Sequence, residues 1–591
     1  MGKITDRFKR INGNIFFFIA ITVFILWQML KPGYVLTLDL IFTPKLYFGD
    51  FFITGYFLNT FPLIFLQKLL NQFLTGWMVE KIMIVSLFFL IGYLAYIYLP
   101  VPKKYYARYF AALFYLINPF VYERFLAGQL TVLFAYAFLP PFIAALIKFN
   151  RQPLWKNIFK LYGWLILINI FSLHLFVMSA LALVGYFVVS LFFGIIRLGI
   201  YPPRPRSAAT PPEEGNNFKP ASASLSKTRP WSWLIKFLLG GLIFLVVSSY
   251  WLVPYFVHQN AAVINDFGQS NWQAFATAGD KYLGTAINVA ALYGFWEEHE
   301  LWADYFLWPK DNFIFWLITI AALFILLISG IVWGIKRKRK LTIALLLIAS
   351  ASFIFSCGVG ETVFKNFNWW LFEHLNFWRG FRDSEKWSSY LVLVYAILSG
   401  WGVVYLSELW EKKKILKYFV YLLMALAILG TYTELGGFAR QLQPVWYPQS
   451  WYQAKAMLDK DQSDYQVIFL PWHEYLSLDF NRNIITANPA QGFFGPKIVQ
   501  GENMEVGGVF SQSTDLANKA IENILLDPRQ PPDQALELLK AKKIKYILVM
   551  NKVAAEDYLK YPILQARGLQ KLLKTDDLTL YQAAGYNIND N

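Results

Sequence analysis

The sequence is short of charge and almost without cysteine. Only 16% of its 591 residues are Asp, Glu, Lys or Arg, against about a quarter in an ordinary soluble protein. That deficit, with 57% apolar and 19% aromatic residues and a mean hydropathy of +0.39, excludes a soluble enzyme, a disordered chain and a fibrous repeat. Cys357 is the one cysteine, so no internal disulfide can form and cysteine usage says nothing of redox compartment. There is no GxxxxGK[ST], GxGxxG, HExxH or CxxC pattern, so no nucleotide or redox cofactor is expected. A divalent metal stays open. No repeat of fixed period is present.

The net charge of +16 would suit nucleic acid, but its distribution argues otherwise. Residues 437–591 hold 16 Lys/Arg and 17 Asp/Glu, so the whole excess lies in residues 1–436, which hold 38 and 21. Membrane topology accounts for it there. A spanning helix needs about 20 mostly apolar residues, because hydrocarbon cannot satisfy backbone polar groups. Eleven such stretches are read: 14–30, 80–99, 105–121, 129–147, 157–172, 175–196, 237–256, 313–335, 341–357, 388–408 and 417–435. The pair within 157–196 turns at Ser172-Leu173-His174. With the N-terminus cytoplasmic, segments 1–13, 100–108, 148–160, 197–236, 336–340 and 408–417 face inward and carry 27 of the 38 Lys/Arg. Positive charge gathers on the inner side of membrane proteins. Residues 1–30 have no small-residue cleavage site after a long apolar stretch, so a membrane anchor is favoured over a signal peptide.

Residues 201–230, rich in Pro, Ser and Ala, read as a disordered cytoplasmic linker. Residues 437–591 read as an extracytoplasmic α/β domain. Tyr465–Leu470 and Lys545–Met550 are short β-rich runs, 515–526 and 533–543 are helix-like, and Leu569–Leu573 with Leu578–Gln582 form a closing hairpin.

All five histidines fall on the outer side, which puts acid–base chemistry there. The first outer loop, Lys31–Phe52, carries Asp39 and Asp50 among apolar neighbours. A carboxylate against apolar surface has its pKa raised and can act as a general base near neutral pH. Equally, Asp39 could cap a short interfacial helix. Phe364–Trp387 is dense in Trp and Phe and carries Arg379, Arg382, Asp383 and Lys386. It reads either as an interfacial aromatic belt or as a phosphate clamp. Arg124 sits at an outer boundary, available to phosphate or paired with its neighbour Glu123. The cluster Glu297, Glu298, Glu300 and Asp304 around His299 allows a metal, but a solvated loop is favoured, since consecutive residues point apart. His473 beside Glu474 follows a strand, and His174 sits at the tip of the tight pair. Both join the candidate substrate-binding side chains.

Several stretches resemble the GT-C superfamily of integral-membrane glycosyltransferases, and within it the large membrane arabinofuranosyltransferases and their prokaryotic relatives. They are Leu38-Asp39-Leu40, NPFVYERFLAGQLTVLFAYAFLP (118–140), GFRDSEKWSSYLVLVYAILSGWG (380–402), LPWHEYLSLDF (470–480) and GENMEVGG (501–508). The resemblance implies a polytopic helical membrane protein, with residues 1–436 as a GT-C-like domain, in the plasma membrane of a prokaryote. It implies a polyprenyl-phosphate sugar as donor and a glycan, lipid or protein of the cell envelope as acceptor. Its first-loop carboxylate maps onto Asp39, with Asp50 as the alternative. Many members show paired acids in that loop, whereas here the two stand eleven apart. The competing readings are a lipid-linked-saccharide transporter and a non-catalytic assembly protein.

Overall fold

The computed structural model describes residues 2–47, 58–185, 230–257, 268–300, 303–411, 413–506, 509–511, 513, 515–553 and 561–586. Of the linker expected over 201–230, all but Pro230 lies outside these residues, as do Asp50 and His258. Among the described residues, four helical runs are long and apolar enough to cross a membrane: Gly76–Tyr98, Leu130–Arg151, Phe313–Ser356 and Ser384–Leu409. Two further pairs qualify if each is one span, Leu234–Val247 with Ser249–Val257 bent by 70° and Ile415–Leu429 with Tyr432–Phe438 bent by 66°.

Three of the expected spans are built differently. The stretch 105–121 is not one helix: Ala107–Leu116 has ten residues, and a second helix starts at Pro119. Asn118 causes the break. Its backbone is fully extended, as a residue before proline prefers, and its side chain accepts the Val121 N–H at 3.2 Å to cap the next helix. Conversely, 313–335 and 341–357 are joined without a loop in Phe313–Ser356, but the run leaves helical geometry at Lys338 (φ −141°, ψ 41°). A Cβ on Gly334 would lie 2.4 Å from Thr342 Oγ1, eight residues on. Those positions stand about 12 Å apart along a straight helix. The chain therefore doubles back at Lys338, and both arms pack on Ser388–Leu409. Gly330 lets one arm touch it closely, since an added Cβ would meet the Leu398 carbonyl oxygen at 1.7 Å.

The described residues of the C-terminal part include nine strands: β1 (Gln466–Leu470), β2 (Tyr475–Ser477), β3 (Ile485–Ala487), β4 (Ile498–Val499), β5 (Met504–Val506), β6 (Val509–Ser511), β7 (Ile544–Met550), β8 (Leu569–Lys574) and β9 (Leu578–Ala583). Five make a mixed sheet in the order β4-β1-β7-β9-β8, parallel across β4-β1-β7 and antiparallel beyond. Helices Leu516–Leu526 and Pro532–Ala541 precede β7, the first capped by Asp515. Side chains alternate faces along a strand, and in β1 both faces are buried. Ile468 and Leu470 pack with Ile521, Leu525 and Leu536 of the two helices. Val467 and Phe469 belong instead to the large core that runs on through Trp401 and the membrane helices. The sheet therefore separates two cores and is fastened to the membrane part.

The fastening is made by the first loop. Tyr34 and Val445 exchange backbone hydrogen bonds at 2.8 Å each. Leu38 adds itself to β3, its N–H bonding Ile485 O at 2.9 Å and its carbonyl accepting from Ala487 N at 2.7 Å. Asn481 Nδ2 donates to Leu36 O at 3.2 Å.

Candidate active site

Asp39 occupies a tight turn, not a helix cap. Thr37 and Leu40 close the turn with two backbone hydrogen bonds of 2.6 and 3.2 Å, and Leu38 takes a positive φ of 29°. That is a conformation an L-residue with a branched side chain rarely adopts, and it persists only where surroundings impose it. Here they do. Thr37 Oγ1 donates to Leu126 O at 2.6 Å, Asp39 N donates to Ala127 O at 3.2 Å, and Leu38 is locked into β3. Gly128 presses against the same turn: a Cβ there would lie 2.2 Å from Leu40 N and 2.9 Å from Asp39 C.

The Asp39 carboxylate is exposed. Oδ1 accepts the Tyr475 hydroxyl at 2.8 Å and Oδ2 accepts Gln129 Nε2 at 3.4 Å. Dense protein around its open side still desolvates it and raises its pKa, with the Asp383 charge adding to the rise. The Tyr475 hydrogen bond, the Lys386 charge and the Gln129 hydrogen bond oppose that rise. Exposure and desolvation coexist because protein surrounds the group while part of its surface stays open.

Arg124 is fully buried on Pro119–Leu126. Its Nη2 donates to Asp383 Oδ1 at 2.8 Å and to Glu385 Oε2, its Nε to Glu385 Oε2 at 3.1 Å, and its Nη1 to Asp383 Oδ2 and to Gln129 Oε1 at 2.8 Å. All five N–H donors are used, two carboxylates being gripped by one planar fork. Arg124 is therefore not the phosphate ligand expected from the sequence, nor does it pair with Glu123. Lys386 lies 3.3 Å from Asp383 Oδ2. Burial pushes the Asp383 carboxyl up, but Arg124 and Lys386 outweigh it and hold it well below the usual carboxylate range.

The remaining expected side chains divide. Arg382 is half-buried with its guanidinium 4.4 Å from the Phe275 ring centre, and its charge acts on Asp383, Glu474 and Tyr475. His174 is 2.8 Å from Gly380 O through Nε2, which must be its protonated nitrogen, with its ring edge-on to Phe381. Arg379 donates to Phe372 O at 3.4 Å and lies over Trp272. In the His473-Glu474 pair it is Glu474 that faces the chemistry. Burial and the charges of Asp39 and Glu502 push its carboxyl up to about 7, against the pull of Arg382.

The acidic cluster is solvated only in part: Asp304 is exposed, whereas its first two members are not. Glu297 and Glu298 are buried, and Glu298 accepts from Lys310, from Asn288 Nδ2 at 2.8 Å and from Gly294 N at 2.6 Å. Burial and then the Asp39 charge raise the Glu297 carboxyl well above its ordinary range. Among the described residues no three His, Cys, Asp or Glu side chains gather as metal ligands.

A first-loop carboxylate on which the Lys386 charge acts thus stands where the helical core meets the C-terminal sheet region. Among solved structures the chain is similar to the arabinofuranosyltransferase AftD from mycobacteria, determined by single-particle cryo-EM. The TM-score is 0.61 at 11% identity, over 96% of this chain and 40% of that one. A mutant form of the same enzyme gives 0.55 at 11% identity, over 97% and 42%. The chain thus spans about two-fifths of the length of AftD, and at this identity the likeness is one of fold. No family model matches the sequence, and no curated protein matches it.

Proposed function

We propose that the protein is a membrane glycosyltransferase that moves a sugar from a polyprenyl-phosphate donor to an acceptor of the cell envelope outside the cytoplasm. The observation that carries this reading is the Asp39 carboxylate, open to solvent, raised in pKa and within the field of the Lys386 cation at one end of a GT-C-like helical core. A general base must be ionised enough to accept a proton and basic enough to want it, so a raised carboxyl suits the role. Asp39 takes the proton of an acceptor hydroxyl. The hydroxyl oxygen forms a bond to the anomeric carbon while the bond from that carbon to the phosphate oxygen breaks. The electron pair leaves with the polyprenyl phosphate. Lys386 and Arg382 stand where negative charge grows on the departing group, and positive charge fixed in advance stabilises that transition state. Arg124 holds Asp383 and Glu385 so that Lys386 keeps its place.

The topology that fits this chemistry has eleven spans, the N-terminus in the cytoplasm and residues 437–591 outside. The partition of Lys/Arg supports it. The two bent helix pairs favour a second reading, a lipid-linked-saccharide transporter, because broken helices mark transport cores. Purified protein supplied with polyprenyl-phosphate sugars separates the two. Wild type should transfer sugar, and Asp39→Asn should lose about 10²–10⁴-fold in turnover with donor binding retained. Transfer by Asp39→Asn at the wild-type rate would remove Asp39 from the mechanism. A wild type that moves intact lipid-linked sugar across vesicles without transferring it would establish the transporter.

A further inference from the structure

At the far end of the helical core from Asp39 lies a cavity of about 340 Å³, lined by Tyr98, Pro100, Ala144, Ile147, Lys148, Arg151 and Gln152. The run Leu130–Arg151 connects the two places. It carries Gln129 of the candidate active site before its first turn and Lys148 and Arg151 in its last. Its 22 residues measure about 33 Å, the thickness of the hydrocarbon. The cavity therefore opens at the opposite membrane interface.

Its charge is one-sided. No carboxylate is among its lining residues, and Lys148 and Arg151 project from the same helix end. Lys338, at the reversal of Phe313–Ser356, reaches Pro100 O with its Nζ at 3.4 Å while lying beside the rings of both Trp333 and Trp401. Trp401 Nε1 donates to the same carbonyl at 3.0 Å, and Arg108 Nε donates to Val101 O at 2.7 Å. Two cations, Lys338 and Arg108, thus bond Pro100-Val101 beside Lys148 and Arg151, and the charges of Arg151 and Arg108 bear directly on Lys338. The neighbouring cavity of about 320 Å³ is different: there Arg337 is matched by Glu408 at 3.1 Å. Just beyond Gln152 the chain exposes Leu154, Trp155 and Phe159, apolar surface of the kind that meets acyl chains at an interface.

We propose that this cavity binds the phosphate of an anionic phospholipid from the leaflet opposite the candidate active site. Lys148 and Arg151 contact the phosphate, Lys338 supports them from behind, and the acyl chains lie along Leu154, Trp155 and Phe159. Arg offers phosphate a bidentate fork and Lys a point charge. Association costs little where the acyl chains are already in the membrane, so the charges set the preference.

The test uses full-length protein in phosphatidylcholine nanodiscs with phosphatidylglycerol added, reading lipid retained in native mass spectrometry and the shift in melting temperature. Wild type should retain phosphatidylglycerol over phosphatidylcholine and be stabilised by it. Lys148→Gln with Arg151→Gln should weaken retention about thirty-fold, the effect of two interfacial charges. Ala144→Phe fills the cavity with its charges intact and should also abolish the preference. If it does not fold in phosphatidylcholine alone, the charge variants decide. Lys156→Gln with Lys160→Gln removes equal charge from exposed positions nearby and should change nothing. Equal weakening by that pair would reduce the effect to a diffuse surface field and overturn the site. Stabilisation by inorganic phosphate alone, or no preference for phosphatidylglycerol, would overturn it as well.

Discussion

The Tyr475 hydroxyl donates to Asp39 Oδ1 at 2.8 Å across 436 positions of sequence. The bond is the tip of a longer seam, because Leu38 pairs with β3 one residue before Asp39 and Tyr475 opens β2, its hairpin partner. The carboxylate is thereby aimed by two side chains, Tyr475 on one oxygen and Gln129 on the other, and Gln129 is itself held by Arg124. A group fixed this way meets its substrate without a further ordering cost.

Tyr475→Phe should move the pH profile of sugar transfer. The hydroxyl stabilises the ionised carboxylate, so its loss raises the Asp39 pKa further. A general base works in its ionised form, and the rising limb of rate against pH should shift upward by roughly one unit or less. Rates at the alkaline plateau should change little. A limb that stays in place would show that Asp39 is not the group being titrated.

Glu474→Gln should act in the opposite sense on that limb, since the Glu474 charge and the Asp39 charge repel. It also carries a stability signature. The Glu474 carboxyl rises from 4.5 to about 7 on folding, so the folded state binds the proton more tightly. Stability from this group is present below pH about 4.5 and is lost as pH climbs to about 7. Gln cannot titrate, and thermal melting across that window should flatten in the variant.

Arg124→Ala should cost about 3–5 kcal/mol in stability, because Asp383 and Glu385 are left buried without their counter-charge. Arg124→Lys should not restore it, since an ammonium cannot reproduce the five-donor fork. Adding Glu385→Gln to Arg124→Ala should recover part of the loss. Melting temperatures in a single detergent measure all three, and an Arg124→Ala protein as stable as wild type would contradict the network.

Gly128→Ala should damage turnover more than folding. The added Cβ collides with backbone atoms of Leu40, Thr37 and Asp39, and it must do so at a φ of +73° that alanine disfavours. Displacing a catalytic group by about 1 Å can cost 10²-fold. Turnover should fall by about that factor while donor binding holds, and equal losses in both would point to general unfolding.

Single-cysteine labelling tests the topology. After Cys357 is replaced, a cysteine in 336–340 should resist a membrane-impermeant reagent in intact cells, and one at exposed Asp479 should react. Reaction at 336–340 would invert the arrangement.

Much of the C-terminal sheet was legible because its strands follow local rules. β1, β7 and the β8–β9 hairpin fall within a residue or two of the β-rich runs, and Asp515 caps its helix as its type predicts. Asp39 was legible as a lone carboxylate amid apolar residues. Its partners were not. Tyr475 and Gln129 become meaningful only when chain segments 436 and 90 positions away arrive beside it. Arg124 was read as open to phosphate or paired with its neighbour Glu123, because nothing in the sequence brings Asp383 and Glu385, 259 and 261 positions away, beside it. Glu297 and Glu298 read as solvated for want of any sign of Lys310 and Asn288 beside Glu298. The break at Asn118 could have been read, since proline after a capping residue ends one helix and starts another.

The seam between Leu38 and β3 has a consequence for biogenesis. Ribosomes make Asp39 early and Tyr475, Thr486 and Ala487 hundreds of residues later. Until the late segment has arrived beside the first loop, Leu126 and Ala127 hold the turn, but Leu38 lacks its β3 partner and Asp39 lacks the Tyr475 hydroxyl. A half-made chain therefore carries only half of the proposed site, which is completed when the late segment meets the first loop.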